Sequence, residues 1–501
     1  MNQVYFVVIL YLMGLLFGLQ FRKHIPIPFF CLSSFFWGSL FYIFMAIIFI
    51  GFGLPFSLPA MGGITALTAA FLSGLAIKRK QFNLSRSDFY WCASSGIVFT
   101  LAAVFFAHFN YSQITTDSIE AILRGRALAY DGLTRYTIGD FSVRGTILPV
   151  VQSAGVLIHE GYLAIYQPLL SLSFIATFIF MACRAIKWVN NWLKLAFVSL
   201  MALSLFSTTI LFYQIFYIHT NFITAAYLFI GLVAFWLAGV ENNKTWLIFS
   251  AIGMAGFSLA RLESPIMFVV FSLFMLGVRQ LTYRERLAVY LPGCVGLIAW
   301  HVKVAEVLQV VGSSDTNPAQ LWVIVAGLAS LVILVLISKI EFIEKFLLPV
   351  LPVFAILALA IIIPVFYLLN SHLMETSLQS IYSNLTTSGE WNAAWFGLLG
   401  LLIIGTFQKK LPFDALFTNS FIAFFLLVVD LAFFLGSPYR PSPYGSANRM
   451  LTHIIPLITF YLIVKFSQGF LPGIDSKALP YGFRRKGDLL QWLRRLKPNQ
   501  K

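Results

Sequence analysis

Charge is what this sequence has least of. Asp, Glu, Lys and Arg make up 11% of its 501 residues, against about a quarter in water-soluble domains. So few charges cannot cover a soluble surface of this size. Cysteine is scarce too. Cys31, Cys92, Cys183 and Cys294 are the only four, and none has CxxC or Cys/His spacing, which excludes the common zinc and redox frameworks. Each falls inside or at the cytoplasmic end of an apolar run, so no disulfide is expected. No P-loop, GxGxxG, zincin or serine-nucleophile motif stands in a usable context, so nothing points to nucleotide hydrolysis or a redox cofactor. The first apolar run lacks a basic leader and a small-residue cleavage site, and reads as a retained helix rather than a signal peptide.

What is present is apolar and aromatic: 59% hydrophobic residues, with 52 Phe, 20 Tyr and 11 Trp. A membrane-crossing helix needs about 20 mostly apolar residues, and its backbone must be satisfied within the segment. Runs meeting this description lie near 4–20, 33–53, 61–77, 91–109, 162–183, 194–213, 220–239, 245–259, 263–278, 286–302, 320–338, 346–369, 394–408, 416–435 and 450–468. The expected fold is an all-α, polytopic integral membrane protein with 13–15 transmembrane helices, where 245–259 and 394–408 are short enough to be re-entrant. The net charge of +15 does not indicate nucleic acid as a partner. The Lys and Arg sit in short clusters between the runs and in the C-terminal tail, the pattern of basic residues retained on the cytoplasmic side. The chain divides into a four-helix membrane segment (1–109), a large loop on the non-cytoplasmic side (110–161), a membrane helix bundle (162–468) and a basic cytoplasmic tail (469–501). In the tail, Leu489, Leu490, Trp492, Leu493 and Leu496 recur at helical spacing beside Arg494, Arg495 and Lys497, which suits an amphipathic helix on anionic membrane lipid.

The non-cytoplasmic segments hold the mixed charges. After the run at 91–109 comes Thr115-Thr-Asp117-Ser-Ile-Glu120, followed by Ile119, Ile122, Leu123 and Ala127 at helical spacing, the pattern of a short helix lying along the membrane surface. Asp117 there can act as a general base, with partial burial raising its basicity. Asp117 with Glu120 three residues later also fits a helix-capping box. His159-Glu160 suits a sugar hydroxyl or a phosphate, or equally an interfacial polar belt. Arg261-Leu-Glu263 joins two very apolar runs, where ionisable groups are costly and tend to be functional; the plain alternative is an ion pair that fixes a tight turn. The last such loop carries Arg440 and then Arg449 and His453, four apart on one helix face. These suit a lipid-linked phosphate, against the alternative of an arginine snorkelling at a helix end.

Together these residues resemble the GT-C fold glycosyltransferases, polytopic enzymes that use polyprenyl- or dolichyl-phosphate-linked sugars. The resemblance lies in a large loop with an acidic residue soon after a crossing, here Thr115-Thr-Asp117-Ser with its surface helix. It lies also in a late Arg followed by Leu and Pro, here Arg449-Met-Leu-Thr-His-Ile-Ile-Pro456. The chain departs from the family in having Ser118, not a second acid, after Asp117, and in the number of crossings before the loop. The resemblance implies Asp117 as base and Arg449 as a donor-phosphate contact. Glu120, His159, Glu160, Arg261, Glu263, Arg440 and His453 are further substrate-binding candidates from their place at the same face. It implies a lipid-linked sugar donor and a glycan, lipid or protein acceptor. No cofactor is expected, a divalent metal being possible but unsupported. The expected setting is a bacterial inner membrane with the site facing the periplasm. Two other readings stay open: a transporter or flippase of a polar or lipid-linked solute, and an O-antigen ligase or polymerase-type enzyme.

Overall fold

The computed structural model describes residues 1–54, 56–109, 112, 114–133, 145–187, 190–278, 281–311, 318–391, 394–408, 410–442 and 445–469. The expected tail helix lies outside them. The α-helices in chain order are α1 (Asn2–Leu19), α2 (Ile27–Gly51), α3 (Leu58–Lys78), α4 (Arg86–Phe109), α5 (Thr116–Asp131), α6 (Ile147–Leu157), α7 (Tyr166–Ala185), α8 (Asn191–Phe206), α9 (Thr209–Phe216) and α10 (Thr220–Val240). Then come α11 (Trp246–Ala260), α12 (Ser264–Val278), α13 (Tyr283–Val311), α14 (Pro318–Ile337), α15 (Leu348–Leu369), α16 (Ser371–Ser383), α17 (Ala394–Thr406), α18 (Asp414–Leu435) and α19 (Ser446–Gly469). No sheet forms among the described residues.

Every apolar run expected from the sequence is helical, but not every one is a straight crossing. Among the described residues eleven helices are long and apolar enough to span a membrane, and one further pair meets the same test only when its two bent helices are taken together. The run at 194–213 is split into α8 and α9, bent by 85° at Ser207-Thr208. Helices α11, α12 and α17 have 15, 15 and 13 residues. At 1.5 Å per residue they reach about 20–22 Å, short of the ~30 Å hydrocarbon layer. The expected total of 13–15 therefore counts α11, α12 and α17, which fall below the length of a full span.

Helix α10 is the central pillar, with nearly every residue buried. The antiparallel helix α11 packs on it through small residues. A Cβ on Gly253 would lie 3.0 Å from the Gly231 nitrogen, and Ser250 Oγ donates to the Gly231 carbonyl at 2.8 Å. This register brings Arg261, just past the end of α11, level with the start of α10. Close backbone approach also joins α1 to α2. A Cβ on Gly14 would fall 1.8 Å from the Ser34 carbonyl oxygen, and one on Gly38 1.7 Å from that of Leu10. Gly38→Ala is expected to force the pair apart and cost about 1–3 kcal/mol, read as a lower melting temperature of the detergent-solubilised protein; an unshifted melting curve would refute the tight crossing.

Opposite charges tie together the end of the bundle remote from Asp117. Arg184 bonds Glu241, which also accepts from Trp246 Nε1 at 2.8 Å. Buried Lys465 meets Asp414 at 2.7 Å, and Tyr461 donates to the same carboxylate at 2.7 Å. Buried Arg286 reaches Glu344 at 2.9 Å.

The expected surface-helix loop is realised in part. Helix α5 is present and leaves Ile119 and Leu123 exposed, as a helix lying against lipid would. Its packing face is a different one: Ser118, Ala121, Gly125 and Leu128 are buried. They seat on α6, where a Cβ on Gly125 would come within 2.7 Å of Pro149 O and Gln152 Cβ. Helix α6 is not a surface helix. Residues Ile147 to Val156 are all buried, because Ile-Leu-Pro-Val-Val has no polar face to give to solvent.

Candidate functional site

Asp117 lies in the first turn of α5. The helix is entered from Thr115, whose backbone is extended and whose hydroxyl does not cap the helix but donates to Tyr217 Oη at 3.0 Å. The capping box read from Asp117 and Glu120 is therefore not the arrangement adopted. Asp117 is already inside the helix, and its carboxylate points to other elements. Ser118 Oγ donates to the Ile218 carbonyl at 3.0 Å, which fastens this turn to the segment between α9 and α10.

That segment, Tyr217-Ile218-His219, is extended at Tyr217 and His219. Alternate residues of an extended chain face the same way, so the two rings stack, with centroids 5.1 Å apart and planes 18° from parallel. Both reach Asp117. Tyr217 Oη donates to Asp117 Oδ2 at 3.3 Å, and His219 Nε2 lies 3.6 Å from the same oxygen. Burial pushes the Tyr217 phenol up, and the Asp117 carboxylate adds to this against Thr115 and Arg449. Tyr217 is therefore a neutral donor at ordinary pH.

Arg449, in the first turn of α19, closes the group. Its Nη1 donates to Asp117 Oδ2 at 2.5 Å and lies 3.1 Å from His219 Nε2. His219 Nε2 therefore stands between the Arg449 guanidinium and the Asp117 carboxylate. Arg449 is 15% exposed and Asp117 28%, so the pair stands at the rim of the bundle, open on one side.

Beneath it is a second, buried group. Arg261 bonds Glu263, which has 1% side-chain exposure, and donates from Nη1 to Asn221 Oδ1 at 2.7 Å. Asn221 Nδ2 in turn donates to Gln214 Oε1 at 3.2 Å, and Gln167 Nε2 to the Gln214 carbonyl at 3.3 Å. The turn is roofed by Gly145, whose positive φ of 76° allows its backbone to press on Ala260 and Arg261, and by Thr146, whose N–H donates to the Leu259 carbonyl at 2.9 Å. Tyr439, between α18 and α19, lies close enough to Glu263, Arg261 and Asp430 to feel their charges; burial first, then Glu263, holds its phenol far above the ordinary range. His453, one turn below Arg449, is buried in the field of both Arg449 and Arg261, and neither ring nitrogen has a partner among the described residues. Glu263 Oε2 and both Asp430 oxygens are likewise buried without one.

Helices α5, α10, α12 and α19 begin at or beside Asp117, His219, Glu263 and Arg449. Each presents N–H groups and the positive end of its dipole. Two arginines stand among them. Such an arrangement suits an anion carrying several oxygens.

The structure thus brings together Asp117, Arg449, His453, Arg261 and Glu263, from three separate parts of the sequence. Glu120 lies one turn further along α5, half-buried. His159 and Glu160 belong to a different contact. His159 is exposed with φ 60°, while Glu160 Oε1 accepts from the Asn2 backbone N–H at 3.1 Å and the Ile158 carbonyl from Asn2 Nδ2 at 3.0 Å. Glu160 and the Ile158 carbonyl hold α1 rather than facing Arg449. Arg440 is exposed, and its contribution is its carbonyl, which accepts from Asn384 Nδ2 at 3.2 Å. Tyr217, His219 and Asn221 went unnoticed in the sequence, where the one available signal was Tyr-x-His-Thr-Asn directly before a long apolar run. Among the described residues no three His, Cys, Asp or Glu side chains group as a metal site.

The fold defines a class, an all-α, multi-pass integral membrane protein with a polar cluster at one end of its bundle. Comparison with protein-family models, with curated proteins and with solved structures gives no match for the chain.

Proposed function

We propose that this protein is a GT-C-type membrane glycosyltransferase. It transfers a sugar from a polyprenyl-phosphate-type donor to a glycan, lipid or protein acceptor, at the periplasmic face of a bacterial inner membrane. The observation that carries the reading is the contact of the Asp117 carboxylate with Arg449, Tyr217 and His219 at the rim of a membrane bundle. A base and a phosphate-holding cation stand side by side where a lipid headgroup would lie.

The chemistry follows from these groups. Asp117 accepts the proton of an acceptor hydroxyl as that oxygen attacks the anomeric carbon from the side opposite the phosphate. The carbon–oxygen bond to the phosphate breaks as the new glycosidic bond forms, so the anomeric configuration inverts. The leaving lipid phosphate gains negative charge, which Arg449 and the helix N-termini stabilise. Arg449 cannot fully serve Asp117 and a phosphate at once. Donor binding therefore loosens the ion pair and frees the carboxylate lone pair for the acceptor.

Purified protein in proteoliposomes, supplied with a polyprenyl-phosphate sugar, tests this directly. Arg449→Ala is expected to weaken donor binding by about 10- to 100-fold, the loss of a charge-assisted contact. Unchanged donor affinity would reduce Arg449 to a helix-end anchor. A second reading, a transporter or flippase, draws on the buried ionisable groups Glu263 and Asp430. It predicts solute movement across the same liposomes without formation of a glycosidic product.

A further inference from the structure

A cleft of about 720 Å³ lies at the far end of α5 from Asp117, bounded by the end of α2, the last turn of α5 and α13. Fourteen residues separate Asp117 from Asp131, about 21 Å along the helix, so the cleft is distinct from the group around Arg449. Its apolar wall includes Phe52, Leu54 and Val307, and its polar wall Tyr130, Asp131 and Lys303. Phe52 is 79% exposed and Leu54 46%.

Depth and charge together say what such a cleft would take. Helix α13 starts beside the remote-end pair of Lys244 and Glu285, 2.7 Å apart. Lys303 comes twenty residues after Tyr283, about 30 Å further along, which is the thickness of the hydrocarbon layer. The cleft is therefore at the headgroup level of the opposite leaflet, with its exposed apolar side chains at the height of the first acyl carbons. It offers one cation and one anion, not a surplus of either sign. Asp131 and Lys303 are both exposed and make no ion pair with each other among the described residues. Asp131 also closes α5, whose terminal carbonyls add partial negative charge beside it.

We propose that this cleft binds one aminophospholipid, a glycerophospholipid with a phosphoethanolamine head. The lipid phosphate sits on Lys303, and its primary ammonium donates to Asp131 and the end of α5. The acyl chains run down past Leu54 and Val307. A choline head carries the same charges but has no N–H to donate, and a glycerol head has no cation for Asp131. Free phosphoethanolamine would leave the apolar wall unused.

The test is native mass spectrometry of the full chain released from nanodiscs of equimolar dioleoyl phosphatidylethanolamine, phosphatidylcholine and phosphatidylglycerol. The wild type is expected to retain one phosphatidylethanolamine, favoured about tenfold over either competitor, the size of one charge-assisted hydrogen bond. Asp131→Asn should level phosphatidylethanolamine with phosphatidylcholine, and Lys303→Gln should lower retention of both to that of the bulk bilayer. Both side chains are exposed, so an unchanged melting curve is the check that each variant is folded. Retention in proportion to the bilayer, preference for phosphatidylglycerol, or an unaltered preference in Asp131→Asn would each overturn the proposal.

Discussion

Asp117→Asn is expected to lower the rate of glycosyl transfer by 10²- to 10⁴-fold, the usual contribution of a general base, while leaving the protein folded and donor affinity within a few-fold of wild type. The amide has nearly the shape of the carboxylate, and its oxygen can still accept from Arg449 Nη1 and Tyr217 Oη, which meet Asp117 at 2.5 and 3.3 Å. What the amide cannot do is take the acceptor's proton. The loss should therefore fall on kcat and spare the donor KM. If Asp117 served only to orient Arg449, the same substitution would raise the donor KM and spare kcat. Full transfer by the variant would remove Asp117 from the chemistry.

Arg261→Ala is expected to be the most damaging single change to stability, by about 3–5 kcal/mol, the usual result of leaving a buried charge without its partner. Glu263 is almost wholly enclosed, and its second carboxylate oxygen already lacks a protein partner. Without Arg261 it loses its ion-pair partner among the described residues, and Asn221 loses its donor as well. The readout is the melting temperature and the monodisperse fraction in detergent. The double variant Arg261→Met with Glu263→Leu, which removes both charges and keeps the volume, should recover most of the loss. If Arg261→Ala melts with the wild type, buried Glu263 does not depend on Arg261. If the double variant folds but no longer transfers sugar, the pair contributes to the site beyond stability.

These two expectations differ in how far they could be seen beforehand. Asp117 could be singled out because an acid soon after an apolar run, at the head of an amphipathic segment, is visible in one dimension. So could Arg261 and Glu263, as charges between two apolar runs, although their partner Asn221 could not. His219 and Tyr217 were invisible as site residues. They gain meaning only from contacts to positions a hundred or more residues away. His159, Glu160 and Arg440 show the converse: polar residues at the right face of the membrane whose side chains do not touch Arg449. Their position in the sequence carries the depth but not the direction.

By itself the sequence determined the class and the approximate limits of the long apolar helices, though not the break between α8 and α9 or the shorter α6 and α16. A backbone in hydrocarbon has to satisfy its own hydrogen bonds, so any apolar run of sufficient length must be a helix whatever its neighbours do. The tertiary structure alone decided which helix ends meet. Arg449 reaches Asp117 across 332 positions because glycines and serines such as Gly231, Gly253 and Ser250 let backbones approach and set the register between helices. Lipid tails reward no particular apolar pairing, so helix association depends on the fit of small residues and on a few buried hydrogen bonds. Such fit is a property of two surfaces together, and neither run states it alone.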